Sequence, residues 1–185
     1  MSSRDEQRAQ VVEALVPHIL ATGLSRASLR QLANAAGVSD RMLLYYFADK
    51  AEVLAAVMGR LAGDMAARLE AALPAGERLP AAELAARAAR VATSAEFSPF
   101  MRLWLEIIAA AARGAEPFEA VARQITGGFI DWIVQRLDAE GDPDPAGTAA
   151  AILALVDGLA LVEAGAGRER VETAVAALER QAKRA

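Results

Sequence analysis

Apolar residues recur at every third or fourth position along this chain, and nowhere do they alternate singly with polar ones over the length of a strand. That spacing predicts helices throughout. The clearest stripe is Val53, Val57, Leu61, Met65, Leu69 and Leu73, which keeps one helical face apolar for about five turns. Ser3 with Glu6, Ser28 with Gln31 and Asp49 with Glu52 are capping-box patterns that open helices, and Ser39 suits the start of another. Gly23 and Gly37 close the first two helices. Pro17 lies inside the first and is expected to kink it or leave its last turn irregular. Later helices open at Pro80, Ser98-Pro99, Glu116-Pro117 and Asp144-Pro145, each with a proline suited to the first helical position. Gly114 and Gly141 close two of these, and Gly165 to Gly167 separates the last two. The expected fold class is all-α, with about nine helices. A three-helix N-terminal unit, residues 1–48, is joined by the long fourth helix to a helical body, residues 49–185.

The second and third helices are short, and a turn at Gly37 divides "SLRQLANAA" from "SDRMLLYYF". Ala33 lies four residues before that glycine and Leu43 six after it, a spacing that suits two short helices crossing steeply. A small residue at Ala33 allows close approach, the glycine accepts the turn's backbone angles, and Leu43 closes the core between them. Leu29, Leu32, Ala36, Val38 and Phe47 are expected beside it. Asp40, Arg41, Leu44 and Tyr45 then project outward, with Tyr46 at the edge. An arginine there can reach a guanine edge with two hydrogen bonds, tyrosine hydroxyls can bond phosphate oxygens, and Met42 or Leu44 can meet a thymine methyl. Helix starts at Ser28, Ser39 and Asp49-Lys50 add backbone donors, with Arg30 and Lys50 as nearby cations. Asp40 is favourable in a helix's first turn by itself, and it could also accept a hydrogen bond from cytosine.

Composition narrows the remaining classes. The chain has no cysteine and one histidine, His18, which excludes thiolate chemistry and any site needing two histidines. No metal and no cofactor are expected, and His18 is read as a packing residue. An enzyme would have to build acid–base chemistry around His18 without a recognisable nucleophile motif. The net charge is −4, and up to Lys50 six basic residues face five acidic ones. Any anion-binding surface must therefore be local. The start "MSSRDEQRAQ" lacks the apolar core of a signal peptide, and the apolar run at Ala149 to Val156 is short for a bilayer. The expectation is a cytoplasmic protein without a membrane partner.

The stretch "ATGLSRASLRQLANAAGVSDRMLLYYFADKAEVLAAVM", Ala21 to Met58, resembles the N-terminal signature of the TetR family of bacterial transcriptional repressors. Beyond Met58 the likeness is architectural, with "ALVDGLAL" (Ala154 to Leu161) similar to the eighth helix of many members. The resemblance implies a homodimer that binds double-stranded DNA and is released from a pseudo-palindromic operator by a small-molecule effector. The family often has lysine where this chain has Asp40, and a phosphate-contacting tyrosine where it has Leu44. These departures point to an altered operator preference. The alternative they support is a helical binding protein of the same fold that no longer binds DNA.

In the helical body, Met65, Phe97, Met101, Trp104, Phe118, Phe129 and Trp132 are candidates to line a shared cavity for an apolar ligand. Gly127-Gly128 in the seventh helix is expected to mark a kink or a close approach. Between Ala149 and Val162 the eighth helix is apolar all round except at Asp157, so a partner subunit is its expected cover. Ile152, Leu155, Val156, Leu159, Val171, Val175 and Leu178 are the expected interface; Asp157 is either a hydrogen-bonding group within it, the preferred reading, or a polar anchor at the cavity floor.

Overall fold

A computed structural model describes residues 3–24, 27–74 and 76–184, with nine helices and no strand among them. They are α1 (Ser3–Thr22), α2 (Leu29–Ala35), α3 (Asp40–Tyr46), α4 (Lys50–Ala72), α5 (Ala81–Ala92), α6 (Ser98–Ala111), α7 (Phe118–Val134), α8 (Pro145–Ala166) and α9 (Arg168–Ala182). The all-α architecture matches the expectation from apolar spacing. The side chain of Ser3, and with it the Ser3–Glu6 capping pattern, lies outside the described residues. By packing, the chain divides into two compact units: Met1–Met65 with Glu106–Arg123, and Ala66–Leu105 with Gln124–Ala185. These packing units do not coincide with the division after residue 48 expected from the sequence.

In the first unit, α1 buries Val11, Val12, Leu15 and Ile19. Pro17 sits on its exposed side, and the helix continues past it to Thr22. The last turn is regular, because the Gly23 N–H donates to the Ile19 carbonyl at 2.9 Å. Gly23 then takes the left-handed backbone, φ +72, and the carboxylate of Glu106 seats itself against it. Glu106 Oε2 accepts the Leu24 N–H at 2.8 Å, a contact across 82 residues of sequence. Helix α2 opens with the expected Ser28–Gln31 capping box. It closes when Gly37 N–H bonds the Asn34 carbonyl (3.1 Å) and Val38 N–H the Ala33 carbonyl (3.0 Å). That pairing satisfies two orphan carbonyls and needs a left-handed residue at its centre, which Gly37 supplies with φ +67. Asp49 Oδ1 accepts the Glu52 N–H at 2.9 Å and starts α4. The Glu52 carboxyl is held below the usual range by the Ala48 N–H (2.6 Å) and by Arg8 (2.9 Å).

In the second unit, α5 packs against both α8 and α9, and α8 packs on α9. Ala85, Ala86, Ala88, Ala89 and Ala92 are buried on α5, and such small side chains let helix axes come close. One core cluster joins Leu73, Leu79, Leu84, Ile133, Leu137 and Ile152; a second joins Ala89, Leu159, Val171 and Val175. Arg136 is a buried cation, 1% exposed, that the apolar pattern did not foresee. Its guanidinium lies 3.9 Å from the Trp132 ring centre, donates to the carbonyls of Leu73 (2.6 Å) and Trp132 (3.0 Å), and pairs with Glu70. Those bonds close carbonyls at the ends of α4 and α7 that would otherwise be unpaired.

Two expectations are corrected in this unit. Gly127 and Gly128 are exposed on α7, and a Cβ added at either would meet nothing within 4 Å, so they mark no close approach within the chain. Helix α8 continues through Gly165 to Ala166, leaving Gly167 (φ +84) as the break before α9. By length and composition α8 could cross a membrane, contrary to the reading of its apolar run as too short. It packs on α5 and α9, leaves one face uncovered and carries a half-buried Asp157.

Gly23→Ala and Gly37→Ala should therefore differ in urea denaturation. Open space surrounds Gly37, so its substitution carries only the left-handed backbone cost, roughly 1–2 kcal/mol. At Gly23 the new methyl also displaces Glu106 from the Leu24 N–H, adding about 1–2 kcal/mol. Equal losses would show that Glu106 contributes nothing at that turn.

Candidate nucleic-acid interface

Helix α3 has seven residues, and its orientation is set by what lies beneath it. Leu43 is fully buried, Phe47 nearly so, and they hold one side of the helix down. Ser39 caps the start, its Oγ accepting the Met42 N–H at 3.2 Å. The opposite side carries Asp40, Arg41, Met42, Leu44 and Tyr45, all exposed, with Tyr45 at 58%. Ser28, Arg30 and Lys50 are exposed as well. Arg30, Arg41 and Lys50 form no ion pair among the described residues. Three uncommitted cations, one exposed phenol and two exposed apolar side chains thus share the first unit with a glycine-turned helix pair.

Tyr46 departs from the expected arrangement. It is 5% exposed, and its hydroxyl donates to Gln7 Oε1 at 2.6 Å. The reason is helical geometry: Tyr46 falls three residues after Leu43, on the same face, whereas Tyr45 falls one turn after Arg41. Tyr46 is removed from the candidate DNA contacts and becomes part of the scaffold. The first turns of α1, which the sequence reading left out of the site, reach this helix too. Arg4 Nη2 donates to the Tyr45 carbonyl at 2.9 Å, and the Arg8 guanidinium lies 4.6 Å from the Phe47 ring centre. Only the helical spacing of Arg4, Gln7 and Arg8 could have hinted at a shared face.

The candidate ligand residues are not gathered around one described cavity. Met65 and Phe118 belong to the first unit; Phe97, Met101, Trp104, Phe129 and Trp132 belong to the second. Phe118 lines a cavity of about 370 Å³ with Leu24, Lys50, Leu54 and Glu106. Met101 lines one of about 230 Å³ with Leu105, Ala160 and Glu163. Trp104 is buried and its Nε1 donates to Asp157 Oδ1 at 3.1 Å. Asp157 is thus engaged inside its own chain, with one of the candidate ligand residues as its partner. Trp132 Nε1 is buried without a hydrogen-bond partner among the described residues.

Most of the residues expected at the dimer interface lie inside the single chain. Ile152, Val156, Leu159, Val171 and Val175 are buried within the single chain, and Leu155 and Leu178 pack against the second cluster. They face inward because α5 covers that side of α8 and α9. The uncovered face of α8 carries Ala150, Ala151, Ala154, Leu161 and Val162 instead, with Leu161 63% exposed.

A family model described as "Bacterial regulatory proteins, tetR family" matches residues 18–57. Another, "BetI-type transcriptional repressor, C-terminal", matches residues 91–185, just over half of the chain. An HTH-type transcriptional regulator BetI of Paraburkholderia phymatum is 33% identical over 103 residues, covering 55% of this chain and 53% of that protein. The chain thus spans about half the length of the curated relatives it matches. Among solved structures, a TetR-family transcriptional regulator from Cytophaga hutchinsonii superposes with a TM-score of 0.79 at 19% identity, over 99% of this chain and 96% of that one. The multidrug binding protein EbrR, solved with proflavin, does so with 0.64 at 22% identity, over 93% and 99%. At these identities the likeness is one of fold.

Burial pushes the Asp157 carboxyl above the usual aspartate range, and the Trp104 N–H offsets part of that rise. The folded chain therefore keeps a proton that the unfolded chain has already released, and stability falls as pH rises through that window. Asp157→Asn retains an oxygen for Trp104 and removes the buried charge. It should raise the urea midpoint near neutral pH, with the gain vanishing below the ordinary aspartate pKa. A gain that is independent of pH would mean that ionisation of Asp157 carries no such cost.

Proposed function

The chain belongs to the TetR family of bacterial regulatory proteins, and we propose that it is a cytoplasmic homodimeric repressor released from a pseudo-palindromic operator by a small molecule. The observation that carries this reading is the outer row of α3. Arg41, Leu44 and Tyr45 stand in solvent on a helix whose other side is anchored by Leu43. In a major groove, Arg41 can read a guanine edge, Leu44 or Met42 a thymine methyl, and the Tyr45 hydroxyl a phosphate oxygen. Lys50 and Arg30 supply charge to the backbone on either side, which a chain of net charge −4 can do because charge acts locally.

Dimerisation is the second part of the proposal. The uncovered face of α8 is apolar and rich in alanine, with Gly158 on the same helix. A second copy meeting it there would cover Leu161 and Val162 and bring small residues into close contact. The effector is the third part. EbrR holds proflavin on the same fold. The buried Trp132 N–H has no acceptor among the described residues, at a cost of about 1–3 kcal/mol that a ligand's acceptor could recover. Release follows if the ligand-bound body holds the two recognition helices at a spacing that no longer matches successive grooves.

Selection from random duplex DNA at fixed salt tests the class directly. The expected product is a two-fold repeated motif, with half-site centres about 34–36 Å apart or a multiple of that. Arg41→Ala should lose roughly 1–3 kcal/mol on that motif and relax preference at one base pair per half-site. No enriched motif would return the chain to a helical binding protein that shares the fold. For the interface, Leu161→Arg should sediment as a monomer with an unchanged helical circular-dichroism spectrum. A persisting dimer would put the contact on another surface.

A further inference from the structure

We propose that Arg4, on the first turn of α1, is a further DNA-contacting residue that works as a pair with Tyr45. The inference rests on the DNA-binding reading above and adds a contact from outside the helix-turn-helix itself. Arg4, Gln7 and Arg8 share one face of α1, and each meets a successive residue at the end of α3. Their roles separate by charge and burial. Gln7 accepts the buried Tyr46 hydroxyl. Arg8 is half-buried, lies over Phe47 and is neutralised by Glu52 at 2.9 Å, so it belongs to the scaffold. Arg4 is exposed, and no carboxylate among the described residues pairs with it.

Two contacts fix the Arg4 guanidinium. It donates to the Tyr45 carbonyl at 2.9 Å and lies 5.1 Å from the centre of the Tyr45 ring. The first satisfies a carbonyl that a seven-residue helix leaves unpaired at its end, where a positive charge is favoured. The second braces the most exposed aromatic side chain of α3. A guanidinium has five N–H donors, and one is used here. The remaining donors therefore lie on an accessible patch beside the Tyr45 ring, next to the reading row. Planar donors next to a phenol match the oxygens of a backbone phosphate. Arg4 thus orients Tyr45 and adds a charge contact that reads no base.

The test compares the wild-type chain with Arg4→Ala and Arg4→Lys on the selected duplex over a series of salt concentrations. Arg4→Ala should bind every sequence several-fold more weakly and lower the slope of log affinity against log salt by about 0.9, the signature of one lost phosphate contact. Arg4→Lys should keep the slope and recover only part of the affinity, because its ammonium lacks the planar fork. Arg4→Ala with weaker binding but an unaltered slope would make the residue purely structural and overturn the proposal. An unaltered affinity would do the same, and either result would leave the Arg41 reading standing. A wild-type chain that enriches no DNA would remove that reading, and this inference with it.

Discussion

The burial of Leu43 is the constraint on which the rest of the structure depends. A seven-residue helix has little stability of its own in water, because nucleation costs more than two turns of hydrogen bonds return. Helix α3 is held by the side chains it buries, Leu43, Tyr46 and Phe47, by the Ser39 side-chain cap at its start and by a backbone cap at its end. The Gly37 turn delivers the chain to Ser39 at the angle that makes this burial possible. Once that inner side is fixed, the outer side is determined by geometry. Residues 41, 44 and 45 can only stand in solvent, and their chemistry becomes available to a partner.

The same logic, applied to longer helices, explains the second unit. Alanine on α5 lets α8 and α9 approach closely enough for Leu159, Val171 and Val175 to form a core with little side-chain volume between them. From Ala149 to Val162 helix α8 is apolar all round except at Asp157, yet the described helices cover only part of it. Its residual apolar face is therefore a property of composition meeting limited neighbours. Asp157 interrupts that apolar surface and finds its partner in Trp104, at the cost of being held partly away from water.

Long-range polar contacts complete both units. Glu106 closes the α1–α2 turn in the first, and Arg136 closes the ends of α4 and α7 in the second. In each case a charged side chain satisfies backbone groups that helix termini leave bare, and in neither does the residue's own sequence neighbourhood announce the role.

Helix order and most boundaries were legible because caps, glycine stops and initial prolines act within a single turn of chain. Ser28 with Gln31, Asp49 with Glu52, Gly23 and Gly37 all do locally what their residue types dictate. The outward row of α3 was legible for the same reason, since Leu43 sets the phase of a helix only two turns long. Tertiary structure alone decided which partners these side chains find, Gln7 for the inward Tyr46 and Arg4 for the outward Tyr45, pairings of residues some forty positions apart. It also decided which side of α8 and α9 the chain covers for itself, placing Ile152, Val156 and Leu159 inside and Leu161 outside. Apolar periodicity states that a face will be buried; it does not name the surface that buries it, because that choice depends on the packing of distant helices.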